Sequence, residues 1–245
     1  MPLETPQLLS LLVAGAIIFA AESGWFGWYA DETQWQVRLD RQLQEASLMF
    51  CTWEAENGVY CSQPDFRHTN LCMSVSTSTP LLKAKAGNCV IVSRWLASLF
   101  AFKADIGLES RFLTSTLWAF VEWLDINHLC ASRGSVLLTP DEISGMRFAR
   151  QQGLAGFRFL SSFAATNYLN RYNMVPKYHA LDHALRRAVR TGVSFGAFWV
   201  YRQEDFMGLS ARIAAKVHPS AVCVRVIERW ISDLFDCDSD SDESI

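Results

Sequence analysis

Apolar residues recur along this chain every three or four positions, in segments of helix length broken by Gly, Pro and Asn, and almost nowhere alternate one by one. The first segment, Leu8 to Ala21, reads LLSLLVAGAIIFAA and is apolar or small throughout. Thr5 and Pro6 give it an N-cap and a first helical residue, as expected of a helix over 5–21 buried in a core. Its fourteen residues fall short of the roughly 20 that span a bilayer as a helix. A secretory signal has this length too, but Glu4 stands where such a leader carries Lys or Arg. Buried helix, signal peptide and membrane anchor are the three readings of 8–21.

From Asp31 to Glu56, Trp35, Leu39, Leu43, Ala46, Met49 or Phe50, and Trp53 mark one face of an amphipathic helix that Asn57-Gly58 stops. Val59 to Pro80 is rich in Ser and Thr, is broken by Pro64 and Pro80, and keeps no period, so it reads as a long irregular connection with His68 exposed. Thr79-Pro80 then opens a helix with Lys83 and Lys85 in its first turns. Its body, Cys89 to Phe102, is apolar nearly all round and therefore central. Glu109 to Cys130 carries Phe112, Leu113, Leu117, Phe120, Val121 and Leu124 on one side, with Gly134 as its stop. Thr139-Pro140-Asp141-Glu142 is a capping box with proline at the first helical position. After it, Met146, Ala149, Leu154, Phe157, Leu160, Ala164 and Tyr168 form a stripe that Gly153 and Gly156 weaken.

Pro176 and Gly192 bracket a helix over Lys177 to Arg190, and an aromatic run (Phe195, Phe198, Trp199, Tyr201) leads to helices over Gln203–His218 and Ser220–Phe235. The expected fold is all-α, about eight helices in one irregular bundle, with at most a short isolated strand near 197–201. A single domain spans 1–235. The last stretch, 236–245, is too polar and like-charged to pack and should be a disordered acidic tail.

Composition changes this picture little. Half of the 245 residues are hydrophobic and 19% charged, enough for a substantial core, which excludes a disordered chain. Nine Trp and sixteen Phe imply helices joined through large aromatic faces. The seven cysteines are dispersed and contain no C-x-x-C pair, so neither a zinc ribbon nor a disulfide framework is indicated. Cys89, Cys130 and Cys223 sit in apolar runs as small hydrophobes, which suggests a reducing compartment and an intracellular protein, nuclear or cytoplasmic.

Charge is uneven. The net charge of −3 conceals +5 over Arg171–Lys216 and −6 over Glu228–Ile245. A basic patch beside an acidic tail suits contact with a polyanion, or folding of the tail onto the patch. Lys177, Arg186, Arg187, Arg190 and Arg202, with Trp199 and Tyr201 for stacking, are the candidate contacts to DNA or RNA. A solvated basic face over an aromatic core is the plainer reading of the same residues.

Two further constellations bear on chemistry. His179 and His183 stand one helical turn apart, and Glu204, Asp205 or His218 could complete a zinc or magnesium site. The residues between the histidines, Ala-Leu-Asp, lack the glutamate of an H-E-x-x-H metalloprotease. Gly192-Val193-Ser194-Phe195-Gly196 matches G-x-S-x-G, with Asp205 and His218 following in hydrolase order. That elbow needs a strand before the serine, and here a basic helix precedes it, so a turn between helices is the expectation.

The order P-K-Y-H-x-x-x-H, F-W-V-Y-R-Q-E-D-F-M-G, A-x-x-H-P across Pro176–Pro219 resembles the C-terminal part of cut-and-paste, DDE-type transposase relatives. Ser62 to Phe66 and Leu81 to Cys89 resemble other pieces of the same kind, a repetitive family of unicellular algae associated with mobile elements. The resemblance implies that Glu204 corresponds to the last of three carboxylates, which on an RNase-H-like sheet gather two divalent metals for phosphoryl transfer. Asp105 and Asp125 lie in or beside helical patterns with no strand ahead of them, so the other two carboxylates are lacking. What is expected is a non-catalytic helical protein of mobile-element descent in which 176–218 is a residual nucleic-acid-binding or structural segment. A metal-dependent phosphoryl-transfer enzyme, and a membrane or secreted protein led by 8–21, are the alternatives.

Overall fold

The helix with no polar face sets the architecture. In a computed structural model that describes residues 5–63, 65–103 and 107–194, all within one compact unit, helix α1 (Thr5–Glu22) is buried on every side from Leu8 to Ala21. Each Leu, Ile, Val or Phe so buried contributes about 1.5–3 kcal/mol. Among the described residues, no helix is long and apolar enough to cross a membrane.

Five helices cover α1 or one another: α2 (Trp35–Asn57), α3 (Ala86–Phe102), α4 (Gly107–Ser132), α5 (Pro140–Thr166) and α6 (Pro176–Thr191). α1 lies chiefly against α3 and also touches α2 and α6, while α4 and α5 form the broadest interface. The fold is helical, with six helices among the described residues against about eight predicted. The helices expected over 203–218 and 220–235, the strand near 197–201 and the tail 236–245 lie outside the described residues, as does that part of the 1–235 domain. Apart from helices, an isolated antiparallel bridge joins Leu137 and Val193.

Two helix ends follow the predicted chemistry. α2 stops where Gly58 adopts φ +61° and returns its N–H to the Glu54 carbonyl. α5 begins with the full capping box: Thr139 Oγ1 accepts from the Glu142 N–H, and the Thr139 N–H donates to Glu142 Oε2 at 2.8 Å. The Arg133 guanidinium closes on the same carboxylate with donors at 2.6 and 2.8 Å. Those bonds from Arg133, then from Thr139, outweigh the effect of burial and hold the Glu142 carboxyl down at about 2.

Three expectations are corrected. The third helix starts at Ala86, not at Thr79-Pro80, because the Leu81 and Lys83 N–H groups donate to the Leu71 and Asn70 carbonyls and are unavailable to a helix. His68 is half-buried, not exposed. Asp40 of α2 accepts from its backbone N–H at 2.8 Å and lies 2.7 Å from its Nδ1, which pins the 59–80 connection to α2. Around that connection Phe26, Phe50 and Phe66 surround Trp95 of α3, with ring centroids 6.2, 5.2 and 5.7 Å from it.

The third correction concerns Gly153 and Gly156, which sit at the contact of α5 with α4, and Gly156 is what lets the two helices approach there. A Cβ at Gly153 would touch Ala119 and Phe120 at 3.4 Å, and one at Gly156 would lie 2.0 Å from Thr116 Oγ1 and 3.2 Å from its Cβ. The stripe they were expected to weaken is buried from Met146 to Ala164, and only Tyr168, beyond the helix at φ +56°, is exposed.

At one end of α1 the core contains a charge. Arg171, in the α5–α6 connection, is 6% exposed; its Nη2 donates to Glu109 Oε2 of α4 at 3.0 Å and its Nη1 to Glu22 Oε2 of α1 at 2.5 Å. Its Nε is 2.9 Å from Glu109 Oε1, an ion pair outside hydrogen-bond geometry. Burial raises the Glu109 pKa more than Arg171 lowers it. The next residue, Tyr172, takes φ +56° and sets its fully buried ring into the notch left by Gly15 of α1.

Two predictions follow from these contacts. A Gly156→Ala substitution gains about 1 kcal/mol of helix propensity, but the overlap with Thr116 costs about 1–3 kcal/mol, so urea denaturation should show a net loss. Glu142 is depressed on folding, so its contribution is complete above the ordinary carboxyl pKa of 4.5 and disappears as pH falls toward about 2. Glu142→Gln should therefore lower stability at neutral pH and flatten its decline over that acidic window in pH-dependent denaturation.

Candidate nucleic-acid interface

From Ile143 to Thr191 the chain holds eight basic residues (Arg147, Arg150, Arg158, Arg171, Lys177, Arg186, Arg187, Arg190) and one acid, Asp182. Arg171 is consumed in the core. α5 carries Arg147, Arg150 and Arg158, and α6 carries Arg186, Arg187 and Arg190, on adjacent surfaces. Arg147, Arg150 and Arg158 are spaced three and eight residues apart, one face of α5, and Arg186 and Arg190 are one turn apart on α6. α6 buries Tyr178, Leu181, Asp182, Leu185 and Ala188 and exposes His179, His183, Arg186, Arg187 and Arg190. Gly192 ends it at φ +68°.

The lone acid holds the two helices together. Asp182 is 6% exposed, and its Oδ1 accepts from Arg150 Nε at 2.8 Å and Nη2 at 2.6 Å, while Arg186 Nη2 lies 2.7 Å from Oδ2. Burial works against the carboxylate, but the bonds from Arg186 and Arg150 outweigh it and hold the pKa below the usual range. Beside it Tyr178 donates to the Leu154 carbonyl at 2.8 Å, and the Arg158 guanidinium sits 5.3 Å from the Tyr178 ring centroid. Arg150, Arg158, Arg186, Tyr178 and Asp182 line a depression of about 260 Å³ between α5 and α6. Three guanidiniums around one carboxylate leave it strongly positive, a setting in which a phosphate oxygen finds charge-assisted donors.

The predicted site residues are distributed as follows. Arg186, Arg187 and Arg190 are exposed on α6, and Lys177 lies in its first turn. Trp199, Tyr201, Arg202, Glu204 and His218 lie outside the described residues. His179 and His183 are both exposed, and among the described residues no group of three His, Cys, Asp or Glu side chains could hold a metal ion such as zinc or magnesium. Asp125 is engaged by Arg94 of α3, and it stands within helix α4. Ser194 follows a helix rather than a strand, is 4% exposed, and donates to Asn127 Oδ1 at 3.0 Å, so it has no nucleophile-elbow geometry.

Arg147, Arg150 and Arg158 are missing from the sequence-based set. Two signals were present: their common helical face, and the absence of any acid between Glu142 and Asp182.

Replacing Asp182 tests the assignment of the depression. Asp182→Asn leaves Arg150 and Arg186 facing one another without a counter-charge, a loss of about 1–3 kcal/mol. Inorganic phosphate should then raise the melting temperature of the variant more than that of the parent at equal ionic strength. No phosphate-dependent rise in either protein would mean that no anion enters.

Comparison with protein-family models, with curated proteins and with solved structures gives no match to this chain.

Proposed function

We propose that this chain binds nucleic acid through the arginine face of α5 and α6, by its phosphates rather than by base sequence, and carries out no chemistry there. The observation that carries the reading is the set of six arginines on α5 and α6 (Arg147, Arg150, Arg158, Arg186, Arg187, Arg190) with a single acid, Asp182, buried between two of them. Charge of one sign is costly to concentrate, and release of counterions from a polyanion offsets that cost. Trp199, Tyr201 and Arg202, the further contacts suggested by the sequence, lie outside the described residues. Descent from a mobile element, as the resemblance implies, agrees with such a partner.

A metal-dependent phosphoryl-transfer reaction is the weaker reading. It needs several carboxylates free to gather metal ions, and the acid nearest the arginines, Asp182, is occupied by two of them.

The test is fluorescence anisotropy of the full chain with a labelled DNA duplex and a labelled single strand, from about 50 to 200 mM salt. The logarithm of the affinity should fall linearly with the logarithm of salt concentration. For Arg186/Arg187/Arg190→Ala the duplex slope should shrink by about 0.9 for each phosphate contact removed. Failure to bind either strand at the lowest salt would end this reading.

A further inference from the structure

A second depression lies on other elements, where the end of α1 meets the 23–34 loop and the first turns of α2. Its volume is about 380 Å³, within the roughly 300–1,000 Å³ typical of small-molecule sites. Ile18, Ala21 and Leu39 give it apolar lining, Trp28, Tyr29 and Trp35 contribute aromatic rings, and Glu22 and Arg38 contribute opposite charges.

The loop that bears two of these rings is fixed in place. Gln42, buried in α2, donates from Nε2 to the Ala21 carbonyl at 2.8 Å and to the Gly27 carbonyl at 3.1 Å, which ties the loop to α1. Gly24 and Gly27 take φ +73° and +97°, and each lies directly under a ring. A Cβ at Gly24 would meet Trp28 Cε3 at 2.5 Å, and one at Gly27 would meet Tyr29 Cε2 at 3.1 Å. Trp28 remains 74% exposed although it is held this way, an expensive placement for a large ring with nothing to contact.

The charges at this depression are not spent on one another. Glu22 is bonded to Arg171, but that guanidinium also serves Glu109, so two carboxylates share one cation and a negative charge is left over. Glu22 is the member at the cavity wall, with its side chain 59% exposed. Arg38 is half-buried, and its guanidinium has no ion-pair partner among the described residues.

We infer that this depression binds a small zwitterion, its cationic nitrogen placed at Glu22 and the aromatic rings and its carboxylate at Arg38. Aromatic faces attract organic cations, quaternary ammonium above all, and a guanidinium grips a carboxylate through two parallel bonds. The inference is independent of the α5–α6 face.

Isothermal titration of the full chain with glycine betaine, the common α-amino acids, choline and acetate tests it. At least one zwitterion should bind saturably, while choline and acetate, each with half the complementary groups, bind more weakly. Trp35→Ala should weaken that zwitterion about two- to thirtyfold, the equivalent of one cation–π contact. Arg38→Gln should abolish its binding, and Arg38→Lys, which keeps the charge and the fold but not the planar fork, should retain part of it. Absence of zwitterion binding up to roughly 10 mM, affinity unchanged in both Arg38 variants, or choline binding as tightly as betaine would each overturn the assignment.

Discussion

A helix with no hydrophilic side has to be covered on all sides, and the arrangement of this protein follows from that need. Leu8 to Ala21 supply apolar surface around the whole circumference of α1, so the α2, α3 and α6 faces that meet it must be apolar as well. Their polar residues are left to point outward. On α6 this separation is sharpest: Tyr178, Leu181, Leu185 and Ala188 face in, and arginine and histidine face out. The basic surface is thus the outward side of helices whose inward side is required by the core.

Close approach comes at a second cost, which the chain meets with glycine. Gly15 admits the Tyr172 ring against α1, and Gly156 admits Thr116 of α4 against α5. Tyr172 brings Arg171 with it into a region where a charge is expensive, and two carboxylates from α1 and α4 converge on that guanidinium. A buried group of this kind adds little net stability, since the cost of desolvating the charges offsets much of their attraction, whereas removing one partner would leave the other charge uncompensated. The same charge imbalance that completes this contact leaves Glu22 available at the neighbouring aromatic depression.

The sequence was informative wherever a local rule governed the outcome. Apolar runs, helical periods and Pro/Gly brackets located all six described helices, the Thr139–Glu142 capping box and the Asn57-Gly58 stop act as read, and Gly192 closes α6 in the left-handed conformation. It was uninformative where the partner lies far along the chain. Pro80 looked like a helix start because the Leu71 and Asn70 carbonyls that take the Leu81 and Lys83 N–H groups are not apparent from local composition. His68 looked solvated because Asp40 is 28 residues away. Gly153 and Gly156 looked like defects because the helix they accommodate is elsewhere. The arginine face was half visible: α6 announced itself through clustered basic residues, whereas Arg147, Arg150 and Arg158 are dispersed along α5 and acquire meaning only when the two helices lie antiparallel with Asp182 between them.

Hydrogen exchange of the full chain with and without an oligonucleotide reports at once on the fully covered α1 and on the outward arginine surface of α5 and α6. Amides of Leu8 to Ala21 should exchange slowest and be indifferent to the ligand, while added protection appears along the exposed turns of α5 and α6. Rapid exchange over 8–21, or a footprint that avoids Arg147 to Arg190, would contradict this reading.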